Sequence, residues 1–227
     1  MNKNKYLIPG IIVAVVILVG IFALTKNHKK SAEPVAAGTA VLTDEQKTKF
    51  QADIDKQMQT VNDKNSTKAT VEAAWMQIGI DYESLGQRDK EEQAFLKASE
   101  TDPNSYIPLS SLATLYVETK TYDKAAENFQ KALGLPGGSA DPQLWVKWIN
   151  FNIYQIGSDD KHIRLIFNDA YKYTGNNEIL LRQGAAYLEM VGDYQGAIAA
   201  WQEVLKQFPN DAAVKAAITA DQAKLKK

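Results

Sequence analysis

The chain has 227 residues, 45% of them hydrophobic and 23% charged, enough for one sizeable packed domain with an appendage. It contains no cysteine, which excludes disulfides, thiolate metal sites and lipid attachment through sulfur. All 27 acidic residues follow residue 30 while five of the 26 basic ones lie within residues 1–30, so the remainder is net acidic and unsuited to nucleic acid.

Leu7 to Leu24 is a run of 18 residues without a charge, flanked by Lys5 on one side and by Lys26, Lys29 and Lys30 on the other. As a helix it would rise about 27 Å, close to the hydrocarbon thickness of a bilayer. A cleaved signal peptide has a shorter apolar region and a small-residue site soon after it. Here three lysines come before any such site, the first being near Gly38-Thr39-Ala40. The run therefore predicts an uncleaved anchor within residues 1–30. The positive charges on its two sides nearly balance, and the short basic tail favours a cytoplasmic N-terminus with the rest of the chain extracytoplasmic. The three lysines after the run suit lipid head groups.

Residues 31–42 are small and uncommitted and read as a flexible linker, leaving 43–227 as the folded domain. Thr43-Asp44-Glu45-Gln46 fits a capping box. Phe50, Ile54, Met58 and Val61 then form one narrow apolar stripe on an otherwise polar helix, as a cap on a neighbouring unit would. Asn65-Ser66-Thr67 has the form of a glycosylation sequon but reads as a loop and helix start.

Beyond it the sequence repeats itself. Trp75, Ile78, Gly79 and Tyr82 are followed by Phe95, Ala98 and Pro103; the series restarts with Leu109, Leu112, Ala113 and Tyr116, then Ala125, Phe129 and Ala132. The spacing of three and four predicts two amphipathic helices per unit. Gly79, Ala113, Ala98 and Ala132 stand where paired helices approach closely. The first unit covers roughly 68–104 and ends at Asp102-Pro103, with Asn104 or Ser105 able to cap the next helix. The second covers roughly 105–135 and ends at Pro136-Gly137-Gly138, a longer break. A further unit has Leu181, Gly184, Ala185 and Leu188, the turn Gly192-Asp193-Tyr194, then Ala197, Trp201, Val204 and Pro209. Counting back one repeat length from it finds a divergent third unit with Phe151, Tyr154, Ile163, Phe167 and Ala170, preceded by Trp145 and Trp148. Asp211 to Lys226 reads as a short polar terminal cap with Val214, Ala217, Ile218 and Leu225.

This pattern resembles the tetratricopeptide repeat (TPR) family, a helix–turn–helix of 34 residues with W-x2-L-G-x2-Y, Ala, Phe, Ala and Pro at fixed offsets. Glu91 departs from it, standing where the family has a small residue, and is expected to loosen the packing of the first unit. The resemblance implies an all-α solenoid of about four helical hairpins with flanking cap helices, behind the N-terminal transmembrane helix. It also implies a concave face lined by each unit's first helix.

Catalytic chemistry finds little support. His28 lies beside the anchor and His162 at a helix start near Asp159 and Asp160, with no second His or Cys to complete a metal set. No phosphate-binding glycine loop is present. Glu91 and Glu92 read as solvated. The expected role is thus not enzymatic and needs no cofactor or metal. It is a membrane-tethered scaffold or adaptor binding a protein or peptide segment, in envelope-associated complex assembly. The alternative is a self-associating structural module that forms a homo-oligomer. By the resemblance, partner contacts fall on first-helix residues off the core stripe: Met76, Ile80, Glu83, Ser110, Thr114, Val117, Trp148, Asn152, Gln155, Arg182 and Glu189. With Arg182 as the one cation among them, an apolar segment fits better than a carboxylate. The helix Leu144 to Ile156 is apolar almost all round. Register there predicts Trp148 and Asn152 on the binding face and Phe151 and Tyr154 in the core.

Overall fold

The computed structural model describes residues 42–226. The run 7–24, its lysine flanks, His28 and all of the linker but its last residue lie outside the described residues. Among those described, no helix is long and apolar enough to cross a membrane. They contain eleven α-helices, one π-helical segment and no strand, and divide into two compact units, 42–138 and 139–226.

The first unit opens on the capping box. Thr43 Oγ1 accepts from the Gln46 N–H at 3.2 Å and the Gln46 side chain accepts from the Thr43 N–H at 2.9 Å, starting α1 (Asp44–Asn62). Two donors that a helix start leaves unpaired are thereby satisfied. The apolar stripe of α1 meets the first hairpin, α2 (Lys68–Ser84) and α3 (Arg88–Thr101), where Ile54 packs with Ile78 and Ala94. Met58, Val61, Trp75, Tyr82 and Leu85 surround them. Thr67 caps α2 through the Thr70 N–H, so the sequon lies in the loop and cap that its sequence suggests. The second hairpin is α4 (Ile107–Glu118) and α5 (Tyr122–Gly134). Neither Asn104 nor Ser105 caps α4. Asp102 instead turns its carboxylate onto the Asn104 N–H at 3.1 Å, and α4 begins after Tyr106 with Pro108 in its first turn. Nor do the two glycines after α5 form an open break. Pro136–Ser139 makes a short helical turn, α6, so tight that a Cβ on Gly138 would fall 1.9 Å from the Ala132 carbonyl oxygen.

Glu91 corrects two expectations at once. It is neither solvated nor a source of looseness: it is 2% exposed, and Arg88 Nη1 lies 2.8 Å from its carboxylate. Burial pushes its carboxyl up, against the hydrogen bond and charge of Arg88. The same guanidinium reaches Glu118 at 2.6 Å, tying α3 to the end of α4. Glu92 is likewise engaged, accepting from the Tyr116 hydroxyl at 2.5 Å and from Lys124 at 3.3 Å. Removing Arg88 strands the buried charge of Glu91, whereas removing Glu91 leaves a half-exposed arginine still paired with Glu118. Arg88→Met should therefore lower stability by about 1–2 kcal/mol, scaled down because Arg88 is partly exposed. Glu91→Ala should stay within about 1 kcal/mol of the parent. Urea denaturation of the two variants measures both, and equal losses would mean that the acid itself stabilises the fold.

The second unit holds α7 (Pro142–Asn150), continued by the π-helical segment Phe151–Ile156, then α8 (Asp160–Thr174). After it come α9 (Glu178–Met190) and α10 (Tyr194–Gln207), closed by α11 (Ala212–Lys224). Ile163, Phe167 and Ala170 are buried as the divergent third repeat requires. Trp145 is buried too, stacked on Tyr173 at 6.1 Å and donating from Nε1 to the Ser139 carbonyl. Around α9 to α11 the core is Leu181, Val204 and Val214, flanked by Tyr171, Trp201, Leu205 and Ile218.

All four hairpins close with the same device. A residue with positive φ stands at Gly86, Lys120, Gly157 and Gly192. The next residue's N–H then reaches back to a carbonyl near the helix end, five positions to Tyr82, Tyr116 and Leu188 and six to Asn152 after the π-helical turn. Lys120 accepts a conformation that favours glycine, so at that hairpin the turn is held by its surroundings. At Gly157 a left-handed residue likewise ends the π-helical segment before the second helix of the third hairpin.

Candidate partner-binding face

In the first unit the candidate residues occupy α2 and α4. Met76 is half-buried, Ile80 and Glu83 are exposed, and the three follow one side of α2 away from its buried Ala74 and Ile78. On α4, Thr114 and Val117 are half-buried, but Ser110 is buried. The Thr114 hydroxyl turns back onto the Ser110 carbonyl at 3.0 Å. The apolar character of this face thus rests on α2.

In the second unit several candidates are committed inside the fold. Arg182 donates from Nε to Glu178 at 2.8 Å and from Nη2 to Asp211 at 2.7 Å, and Asp211 is also the cap of α11. Glu189 accepts from the Trp201 indole at 2.7 Å. Asn152 is 3% exposed, with its amide donating to the Trp148 carbonyl and its oxygen accepting from Ser158. Trp148 and Gln155 are half-buried, and Trp148 stacks on Phe151 at 5.7 Å. Tyr154, expected in the core, is also half-buried.

The cause is the π-helical segment. An α-helix places residues 148, 152 and 155 on one side, but a wider turn after Phe151 shifts every later side chain around the axis. Asn152 moves inward and Tyr154 outward, while Phe151, before the slip, keeps its buried position.

Sequence reasoning passed over two groups. The first is a pair of matching clamps: Arg164 binds Asp160 in its own helix and Asp193 at the cap of α10, as Arg182 binds Glu178 and Asp211. Each ties a helix to the start of the next helix but one. The signal was legible, since in both cases an acid precedes the arginine by four residues and another follows it by 29. The second is a set of buried carboxylates, Asp81 and Asp221, each with Oδ2 buried and unpaired by any described group. Asp81 takes one hydrogen bond, from Gln77, and burial pushes its carboxyl up. Among the described residues, no group of three or more His, Asp or Glu could hold a metal ion. His162 is exposed, its backbone N–H held by the cap Asp159.

Family models of the tetratricopeptide repeat match residues 72–105, 109–137 and 178–211, which are the first, second and fourth hairpins. These are tetratricopeptide repeats. The hairpin at α7–α8 lies outside the matched residues, in keeping with its π-helical turn and tryptophans. A comparison with curated proteins gives no match. Among solved structures, two of MamA superpose with TM-scores of 0.54 and 0.52 at 15% and 16% identity. They cover 75% and 67% of this chain and 96% and 81% of theirs. Pseudomonas aeruginosa PilF superposes with a TM-score of 0.53 at 17% identity, over 70% of this chain and 71% of its own. At such identities the likeness is one of fold. A TPR fold is consistent with protein–protein interaction, because its helices present side chains along an extended surface.

Proposed function

We propose that the chain is a membrane-tethered TPR scaffold that holds a protein or peptide segment with apolar side chains against the first-helix face of α2. The observation that carries this reading is Ile80, 43% exposed next to Met76 on a helix whose opposite side already serves the core. An apolar side chain exposed there leaves part of its surface in water and available to a partner. Arg182 and Glu189, engaged internally, leave the second unit no free cation among the candidates for clamping a carboxylate. The apolar run 7–24 supplies the anchor, with the N-terminus cytoplasmic and the repeats extracytoplasmic, in reach of envelope-associated complexes.

A photoreactive residue at position 80 tests this in intact membranes. It should yield an adduct with a different protein, and one at the exposed Lys47 on α1 should not. Ile80→Asp, with the photoreactive group moved to Met76, should reduce that adduct at least about fivefold, the loss expected for a central contact. Adducts with a second copy alone would replace this reading by self-association. Release of the protein by alkaline carbonate would remove the anchor from it.

A further inference from the structure

The last helix, α11, buries a carboxylate. Asp221 is 0% exposed, deeper than any other acid among the described residues. Its Oδ1 accepts from Lys224 at 3.1 Å, but Oδ2 has no hydrogen-bond partner. The carboxyl of Glu189, at the end of α9, lies within hydrogen-bonding reach of Asp221, and its Oε1 takes the Trp201 indole of α10. Two carboxylate oxygens facing each other in a buried place repel if both are ionised. One proton between them satisfies the orphaned oxygen and removes the repulsion. The charged and titratable groups facing the pair are Lys224 on α11 and, under its ammonium at 4.5 Å, the ring of Tyr194 on α10. With one proton, Glu189, Asp221 and Lys224 sum to zero charge; without it they sum to minus one.

We propose that Glu189 and Asp221 share a proton that latches the C-terminal half of α11 onto α9 and α10, and that loss of this proton to solvent releases it. The opposite end of α11 is held independently by Arg182 on Asp211. That carboxyl lies below the usual carboxylate range, through the Arg182 hydrogen bond, and stays ionised across the range in which the latch works. Release would therefore fray α11 from its C-terminus and uncover Ile218 and Trp201 beside the Val204 core. The sign follows from the direction in which Glu189 is moved. Burial pushes it up from its ordinary 4.5, against the Trp201 hydrogen bond, and the Asp221 charge adds to the rise. The latch is thus fully engaged below the ordinary glutamate value and is lost as pH rises through the raised one.

Hydrogen exchange at the amides of residues 217–224, corrected for the intrinsic pH dependence of exchange, tests the device in the full chain. Protection in the parent should fall severalfold as the pH is raised from about 4.5 to about 8, in the direction set by the raised Glu189 carboxyl. Protection of the amides of α9 should stay level. Glu189→Gln keeps an oxygen for Trp201 and presents an amide donor to Asp221, so protection should become independent of pH at the high level. Asp221→Asn, which removes the second charge, should flatten the profile as well. Parent protection that is level across this range overturns the proposal, as does a fall that persists in both variants. Protection that follows the identity of the salt cation at fixed pH would assign the orphaned oxygen to a metal ion, and overturns it too.

Discussion

Gly79→Leu is expected to lower the stability of the chain by about 3 kcal/mol or more. Gly79 is buried on α2, and a Cβ built there would fall 2.3 Å from the edge of the Phe95 ring on α3. Phe95 is 3% exposed, so the ring cannot swing aside without displacing the core. A methyl group alone brings a gain of up to about 1 kcal/mol in helix propensity, which offsets part of the clash in Gly79→Ala. Leucine adds three more carbons, and the clash wins. Guanidinium denaturation should show the order parent, alanine, leucine in falling midpoint. At Ala113, which is fully buried at the equivalent place of the second repeat, leucine should likewise lower the midpoint below that of the parent. Unchanged midpoints at both sites would mean that the hairpins do not close at these residues.

Phe151→Ala should cost about 3–5 kcal/mol, the range for emptying a buried aromatic site. Trp148→Ala should cost roughly half as much, because the indole is half-buried and its loss empties less of the interior. The two rings stack on each other, so the double variant should lose less than the sum of the single ones. Thermal melts of the three variants give this comparison directly. In a partner-crosslinking assay Trp148→Ala should weaken capture while Phe151→Ala, at a temperature where it stays folded, should not. Losses of equal size in stability would make Trp148 a core residue and take it out of the proposed face.

Much of this protein was legible in its sequence, and for a local reason. The capping box at Thr43, the stripe of Ile54 and Met58, and the small residues at Gly79 and Ala113 act over one or two helical turns. Spacing along the chain therefore specifies them. So does the hairpin turn at Gly192, where a left-handed residue is needed to close a helix end. The helical hairpin between the second and fourth units could also be placed by counting, because repeated hairpins keep a nearly constant length.

What only the tertiary structure decided lies where neighbours outweigh local pattern. Glu91 is a charged residue at a position for a small one, and sequence alone assigns it to solvent. Arg88, three residues before it on the same helix, holds its carboxylate and makes burial tolerable. Asn152 is buried and Tyr154 only half-buried because one π-helical turn alters the angle per residue, and side-chain direction after it cannot be counted at the α-helical period. Arg182 and Glu189 looked available because helical register marks only which side of α9 they occupy. Asp211 and Trp201, on the following helices, engage them. Asp221 shows the same limit at its sharpest, a polar residue on a polar terminal helix that packing alone buries, since a carboxylate's environment is set by what docks over it.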